Sequence, residues 1–155
     1  MTATALAWIS ELVERTAPAS ALLISEDPDT LAPAFDAVAV CETCTPANPP
    51  PRGQRYALTC LVGVLGVMPK PAASALIATW RDLGSEHLLL VEDLTLSDWS
   101  EGDLLGLGLK RASGYRPNPG EPSIYEFTLA TYKATPRWLN RKNWANPEMW
   151  DKFRW

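Results

Sequence analysis

Histidine occurs once in the 155 residues, at position 87, and cysteine three times, at Cys41, Cys44 and Cys60. A single histidine excludes a histidine-rich metal site and makes any Ser-His-Asp triad depend on one residue. That residue opens an apolar run, Glu86-His87-Leu88-Leu89-Leu90-Val91, where a structural role is expected. Three cysteines are an odd number and too few for a disulfide scaffold. No apolar run reaches the roughly 18 residues a membrane helix needs. The longest, around Leu58–Met68, is interrupted by Thr59, Gly63 and Gly66. The start, Met1-Thr2-Ala3-Thr4, lacks the basic residues of a secretory signal. A soluble, cytoplasmic protein without membrane contact is expected.

Other residues are in excess. There are 14 prolines and 7 tryptophans, and four of the tryptophans fall in the last 18 residues. A hydrophobic share of 46% is that of a globular chain, and the length suits one domain. Residues 1–130 hold 8 Lys/Arg against 16 Asp/Glu, a net of −8, whereas residues 131–155 hold 6 against 2, a net of +4. An acidic body carries a basic, aromatic tail.

Hydrophobic spacing at Leu6, Ile9, Leu12 and Val13 predicts a helix over Thr4–Arg15. Buried strands are predicted at Ser20–Ser25, Asp36–Cys41, Arg55–Val62 and His87–Val91. Asp27-Pro28 reads as the start of a short helix, and residues 42–54, with five prolines or glycines, as a stiff loop. A helix over Pro71–Leu83 is expected to bury Ala75, Leu76, Ala78 and Trp80, with Gly84 as its left-handed cap. Ser97 or Ser100 caps a further helix ending near Leu107. Leu109–Tyr115 and Ser123–Tyr132 then form a hairpin pair across a proline-rich link. Two short helices, near Pro136–Lys142 and Pro147–Phe153, follow. The alternation of strands and helices argues for α/β architecture with a mostly parallel sheet.

The segment Tyr56–Pro69, the helix Pro71–Gly84 and the strand Glu86–Glu92 together resemble the second half of class I S-adenosylmethionine-dependent methyltransferases. In that family a strand ends in a pattern like Val-Leu-Glu-His-Leu-Pro, followed by a helix, a second buried strand and an antiparallel pair. Leu105-Gly106-Leu107-Gly108-Leu109 loosely matches the end of the next helix. The whole chain also resembles a family of small bacterial proteins with a tail like Trp144-Ala145-Asn146-Pro147-Glu148-Met149-Trp150-Asp151-Lys152-Phe153-Arg154-Trp155. This second resemblance implies no activity. Together they imply a compact Rossmann-like, methyltransferase-like sheet of about six strands with an antiparallel edge hairpin and a short helical C-terminal extension. The domain would cover 1–133 and the extension 134–155. The implied strand order is 2-1-4-5-7-6 in the family's labels, its third strand being replaced by the proline loop.

The resemblance also implies where a cofactor would lie. The family holds S-adenosylmethionine on a glycine-rich loop after its first strand, where this chain has Ser25-Glu26-Asp27-Pro28-Asp29. The family's Glu-His pair is replaced by Gly66-Val67. An acid near the end of the second strand takes the ribose hydroxyls, and Glu42 stands near that place. Glu26, Asp27 and Glu42 are therefore the candidate ligand-binding residues, expected to gather with Asp29 at the carboxyl edge of the sheet. Glu92-Asp93, after another strand, could join them. Cys41-Glu42-Thr43-Cys44 has the spacing of a zinc half-site or redox pair, but only Cys60 and His87 could complete it, so two small residues at a strand end are the simpler reading. No metal site and no resident cofactor are expected, with S-adenosylmethionine as the one candidate.

In the tail, Arg137, Trp138, Arg141, Trp144, Trp150, Arg154 and Trp155 interleave aromatics and cations. Such residues clamp onto the acidic body, anchor a protein partner or second copy, or stack on nucleic acid. The acidic body disfavours the last. The sequence thus points to a non-catalytic methyltransferase-like binding or regulatory domain. A divergent S-adenosylmethionine-dependent methyltransferase with Glu42 on the ribose, and an RNA-associated protein using the tail, are the alternatives.

Overall fold

A computed structural model describes residues 2–51 and 53–132. The tail candidates Arg137, Trp138, Arg141, Trp144, Trp150, Arg154 and Trp155, and both short tail helices, lie outside the described residues, as does the boundary at 133/134.

Among the described residues, six strands form one sheet in the order β2-β1-β3-β4-β6-β5. They are β1 (Ala21–Ser25), β2 (Cys41–Cys44), β3 (Tyr56–Val62), β4 (Ser85–Glu92), β5 (Lys110–Arg111) and β6 (Ser123–Thr128). β1 pairs in parallel with β2 and β3, and β3 with β4. β6 enters antiparallel between β4 and β5. This is the implied order, with the family's third strand absent.

The sheet is covered on both faces, which is why its inner strands read as unbroken apolar runs. Alternate residues serve opposite layers. Leu23, Leu58 and Leu89 pack with Ile9, Leu12 and Val13 of α1 (Ala3–Thr16) and with Phe35 of a 3₁₀ turn. Leu22, Leu61, Leu88 and Leu90 pack with α2 (Val64–Val67), α3 (Lys70–Thr79) and α4 (Glu101–Gly106) through Leu65, Ile77, Trp80 and Leu104.

Local chemistry sets the helix ends. Thr2 caps α1, and Ser100 with Asp103 forms a reciprocal capping box on α4. Ser100, not Ser97, is the cap. The Lys70 ammonium lies 2.8 Å from Asp103 and so ties the start of α3 to α4. α1 ends on Ala17 at φ 40°, a left-handed conformation that disfavours a Cβ. Ala17→Gly is expected to raise stability by about 1 kcal/mol, measured by urea unfolding; an unchanged or lowered midpoint would contradict the strain.

Several expectations need correcting. The strand predicted at Asp36–Cys41 begins only at Cys41. Ala32–Phe35 forms the 3₁₀ turn, and the Val38 N–H continues it by donating to the Phe35 carbonyl. Val38 is thereby buried in the helical layer, and pairing starts where the Ala21 N–H reaches the Val40 carbonyl. Asp27-Pro28 opens a tight turn and no helix: the Pro28 carbonyl accepts from the N–H groups of Leu31 and Ala32. The hairpin partner predicted at Leu109–Tyr115 is strand only over Lys110–Arg111, with one further bond from the Ala112 N–H to the Ile124 carbonyl, and the strand predicted to Tyr132 stops at Thr128, where α5 (Leu129–Tyr132) begins. Ala75 is exposed, while Ala73 and Ile77 are buried instead. Gly84 has no left-handed φ: the helix closes through a π turn over Trp80–Gly84, and a Cβ at Gly84 would run into the Trp80 ring.

Candidate functional site

In open α/β sheets, ligands bind beyond the carboxyl ends of the strands, where the strand order switches direction. Here the switch lies between β1 and β3. Beside it, at the carboxyl ends of β3 and β4, is a cavity of about 530 Å³ lined by Val62, Gly63, Gly66, Glu92, Asp93 and Pro122, among others. Its size is that of a small-molecule site. Gly63, at φ 68°, makes the sharp exit from β3 into α2, and its N–H donates to the Val91 carbonyl. The turn brings the first N–H groups of α2 over the end of β4.

There they meet Glu92. The residue is only 4% exposed, and its Oε1 accepts from the Leu65 N–H at 3.1 Å. Burial pushes its pKa up to about 7, against the opposing pull of the Leu65 and Val64 N–H groups. A carboxyl that exchanges its proton near neutrality, in a cavity wall, can act as donor or acceptor toward a ligand. Asp93 does something else: its Oδ1 accepts from the Thr95 N–H at 3.0 Å and hydroxyl at 2.6 Å, which holds it below the usual carboxylate range. Glu92 and Asp93, read together in the sequence, thus divide into a buried cavity group and a turn former.

Glu26, Asp27 and Asp29 are exposed in the turn after β1. That turn satisfies itself: the Asp27 N–H donates to Ser25 Oγ at 3.2 Å, and the Thr30 hydroxyl donates to Asp27 Oδ2 at 2.5 Å. The cavity at β3 and β4 is not lined by residues 25–29. A backbone cradle for S-adenosylmethionine needs residues without a Cβ where the chain approaches the ligand. Glu26, Asp27 and Pro28 do not fit that requirement.

Glu42 does not gather with these acids. It pairs with Leu22, three register steps before Ser25, or roughly 10 Å along the strand. Its carboxylate accepts from the Tyr56 hydroxyl at 2.7 Å and from Gln54 Nε2 at 3.2 Å. Tyr56 is fully buried, and burial followed by the Glu42 bond pushes its phenol pKa far up. Glu42 therefore anchors the start of β3 rather than standing beside Glu26 and Asp27.

The three thiols are pushed up in pKa, by burial first, so none is an activated thiolate. Among the described residues no three His, Cys, Asp or Glu side chains are placed to hold a metal ion. His87 Nε2 lies 3.4 Å from Glu126 Oε2 between β4 and β6, and Glu126 is held low chiefly by that histidine. Among the described residues no helix is long and apolar enough to cross a membrane.

The sequence named Glu92 only as a weak addition to the pocket. The signal available was an acid following Leu88–Val91 on the face shared by Leu88 and Leu90.

Solved structures to which this chain is similar in fold include methyltransferases. The magnesium protoporphyrin IX methyltransferase of Synechocystis, solved with bound S-adenosylmethionine, is 16% identical, with 79% of this chain and 74% of that chain covered and a TM-score of 0.57. A TehB-like S-adenosylmethionine-dependent methyltransferase of Corynebacterium glutamicum is 14% identical, covering 77% and 86%, with a TM-score of 0.52. The methyltransferase domain of the bacterial protein CtHen1-C is 7% identical, covering 81% and 97%, with a TM-score of 0.56. At such identities the likeness is one of fold: a Rossmann-like, methyltransferase-like sheet. No curated protein matches the chain. A family model does match, over residues 3–155, and the chain belongs to that family, a family of unknown function (DUF6231).

Proposed function

We propose that this chain is a non-catalytic, ligand-binding member of the methyltransferase-like fold, with its ligand at the Glu92 cavity. The observation that carries the reading is the turn after β1. It has a proline and three acids where the fold's enzymes present glycines, and Ser25, Asp27 and Thr30 spend their polar groups on one another. The cavity favours a small polar ligand able to hydrogen-bond a carboxyl group, with Gly63 and Gly66 leaving the wall open to close approach.

Calorimetry with S-adenosylmethionine and S-adenosylhomocysteine tests this directly. No heat of binding is expected up to ligand concentrations of about 1 mM, equivalent to a binding free energy weaker than about −4 kcal/mol. Micromolar affinity for either compound would overturn the proposal in favour of a second reading, a divergent methyltransferase. That reading is favoured by the Glu92 carboxyl, whose pKa of about 7 suits a general base. Should binding occur, its loss in Glu92→Gln or in Glu42→Ala would tell which end of the strands holds the ligand.

A further inference from the structure

On the α3 side of the sheet, a second concavity of about 320 Å³ lies between the proline loop and α3. Pro46, Pro49 and Pro50 line it from the loop, and Ala75, Leu76 and Leu83 from the helix and its closing turn. It exists because the described residues between β2 and β3 form neither helix nor strand, so among the described residues a proline loop lies along this flank of α3. The surface is apolar and left open: Leu83 is 61% exposed at its rim. Proline rings on a stiff backbone are favourable surfaces for aromatic side chains, because the wall loses little entropy when covered.

The described chain ends at the end of the sheet where one mouth of this groove opens, at Leu83 and Gly84. β6 runs antiparallel to β4 and pairs Thr128 with His87, so Leu129–Tyr132 lie at the end of the sheet where β4 begins. Leu83 and Gly84, which line the groove, immediately precede β4. A hollow of about 400 Å³, lined by Glu86, His87, Thr128 and Leu129 together with Thr16 and Pro18 beyond the end of α1, lies at this same end of the sheet. From that point 23 residues remain, with Trp138 six residues on, a reach of about 20 Å. The segment carries Trp138, Trp144, Trp150 and Trp155 with a net charge of +4, against −8 for residues 1–130. Acids stand at the same end of the sheet, among them Glu86 and Glu42, the latter bonded to the groove residue Gln54.

We propose that the groove between the proline loop and α3 receives the tryptophans of residues 138–155 of the same chain. The tether makes the encounter intramolecular, at an effective concentration on the order of millimolar, so modest contacts suffice. The tail then covers the flank that the proline loop leaves bare. The proposal is independent of what the Glu92 cavity binds.

Limited chymotrypsin digestion of the full chain, read by mass spectrometry, tests it through cleavage after Trp138, Trp144 and Trp150. The wild-type tail is expected to be cut slowly. Ala75→Lys, which puts a long cation on an exposed helix position inside the groove, should speed that cleavage on the order of tenfold by displacing a basic, aromatic segment. Ala7→Lys, exposed on α1 across the sheet, should leave it unchanged. Leu83→Lys at the rim serves as a second groove variant, and circular dichroism checks that each variant is folded. Acrylamide quenching should agree, because Trp80 and Trp99 of the body are buried. Wild-type cleavage as fast as in the groove variants would overturn the proposal. So would protection that falls on dilution together with a dimeric mass, since a second copy would then supply the tail.

Discussion

Glu92→Gln is expected to stabilise the folded chain by about 3 kcal/mol at pH 8 and to change it little at pH 4.5. Glu92 is buried at the end of β4, and its folded pKa of about 7 stands above the ordinary glutamate value of 4.5. A raised carboxyl pKa means that the folded state binds the proton more tightly than the unfolded chain does. Below about pH 4.5 both states are protonated and no penalty arises. As pH rises from there toward 7, the unfolded chain ionises first and stability falls; above 7 the full cost of a buried carboxylate is present. Glutamine keeps an oxygen for the Leu65 N–H and removes the charge. Asp82, Asp103 and Glu126 are shifted down and lose their contribution as pH falls, the opposite trend, so the quantity to follow is mutant minus wild type at each pH. Urea unfolding at pH 4.5, 6 and 8 measures it. A difference that stays flat across this range, or destabilisation at pH 8, would refute the assignment. Glu92→Ala is a useful contrast, because it strips the Val64 and Leu65 N–H groups of their acceptor and is expected to destabilise. A group that costs stability at neutral pH is the kind retained for a ligand.

Gly84→Ala is expected to cost about 3 kcal/mol, although it adds a single methyl group. The position has no left-handed φ, so the cost is not conformational. The added Cβ meets the six-membered ring of Trp80, four residues back across the π turn. That ring cannot swing away: it is buried and packs against Tyr56 at 6.0 Å between centroids. Tyr56 is in turn held by Glu42. The collision therefore spreads into a chain of contacts instead of being absorbed by one rotamer. In a Trp80→Leu background the same glycine change should cost less than about 1 kcal/mol, giving a strong coupling in the double-mutant cycle. Additive effects of the two substitutions in thermal or urea melts would rule the collision out.

Both cases show how far local sequence carries. β1, β3 and β4 were legible because strands buried on both faces leave short unbroken apolar runs, as in Ala21–Ile24 and Leu88–Val91. Their order came from the resemblance and is the order found. β2 was misplaced because an edge strand needs no apolar content: Cys41-Glu42-Thr43-Cys44 is mostly exposed, whereas apolar Val38 serves the helical layer. Gly84 next to a helix end suggested a cap, but its role depends on where the Trp80 ring lies. Glu92 was visible as an acid at a strand end. Its burial was not, because that depends on α2, 27 residues earlier in the chain, folding back over it. The position of Glu42 along the strand is likewise visible in the sequence, while its partner Tyr56 is set by packing.

The sheet ends at both borders on very short strands, four residues in β2 and two in β5. A border strand is normally a template on which another molecule can continue the ladder. Here the ladder offers little to copy. Beyond Cys44 the chain turns into prolines that lack a donor, and the other border strand is only Lys110 and Arg111, both charged, followed by a single further bond from the Ala112 N–H to the Ile124 carbonyl. Among the described residues, both borders are thus poor templates for extending the sheet.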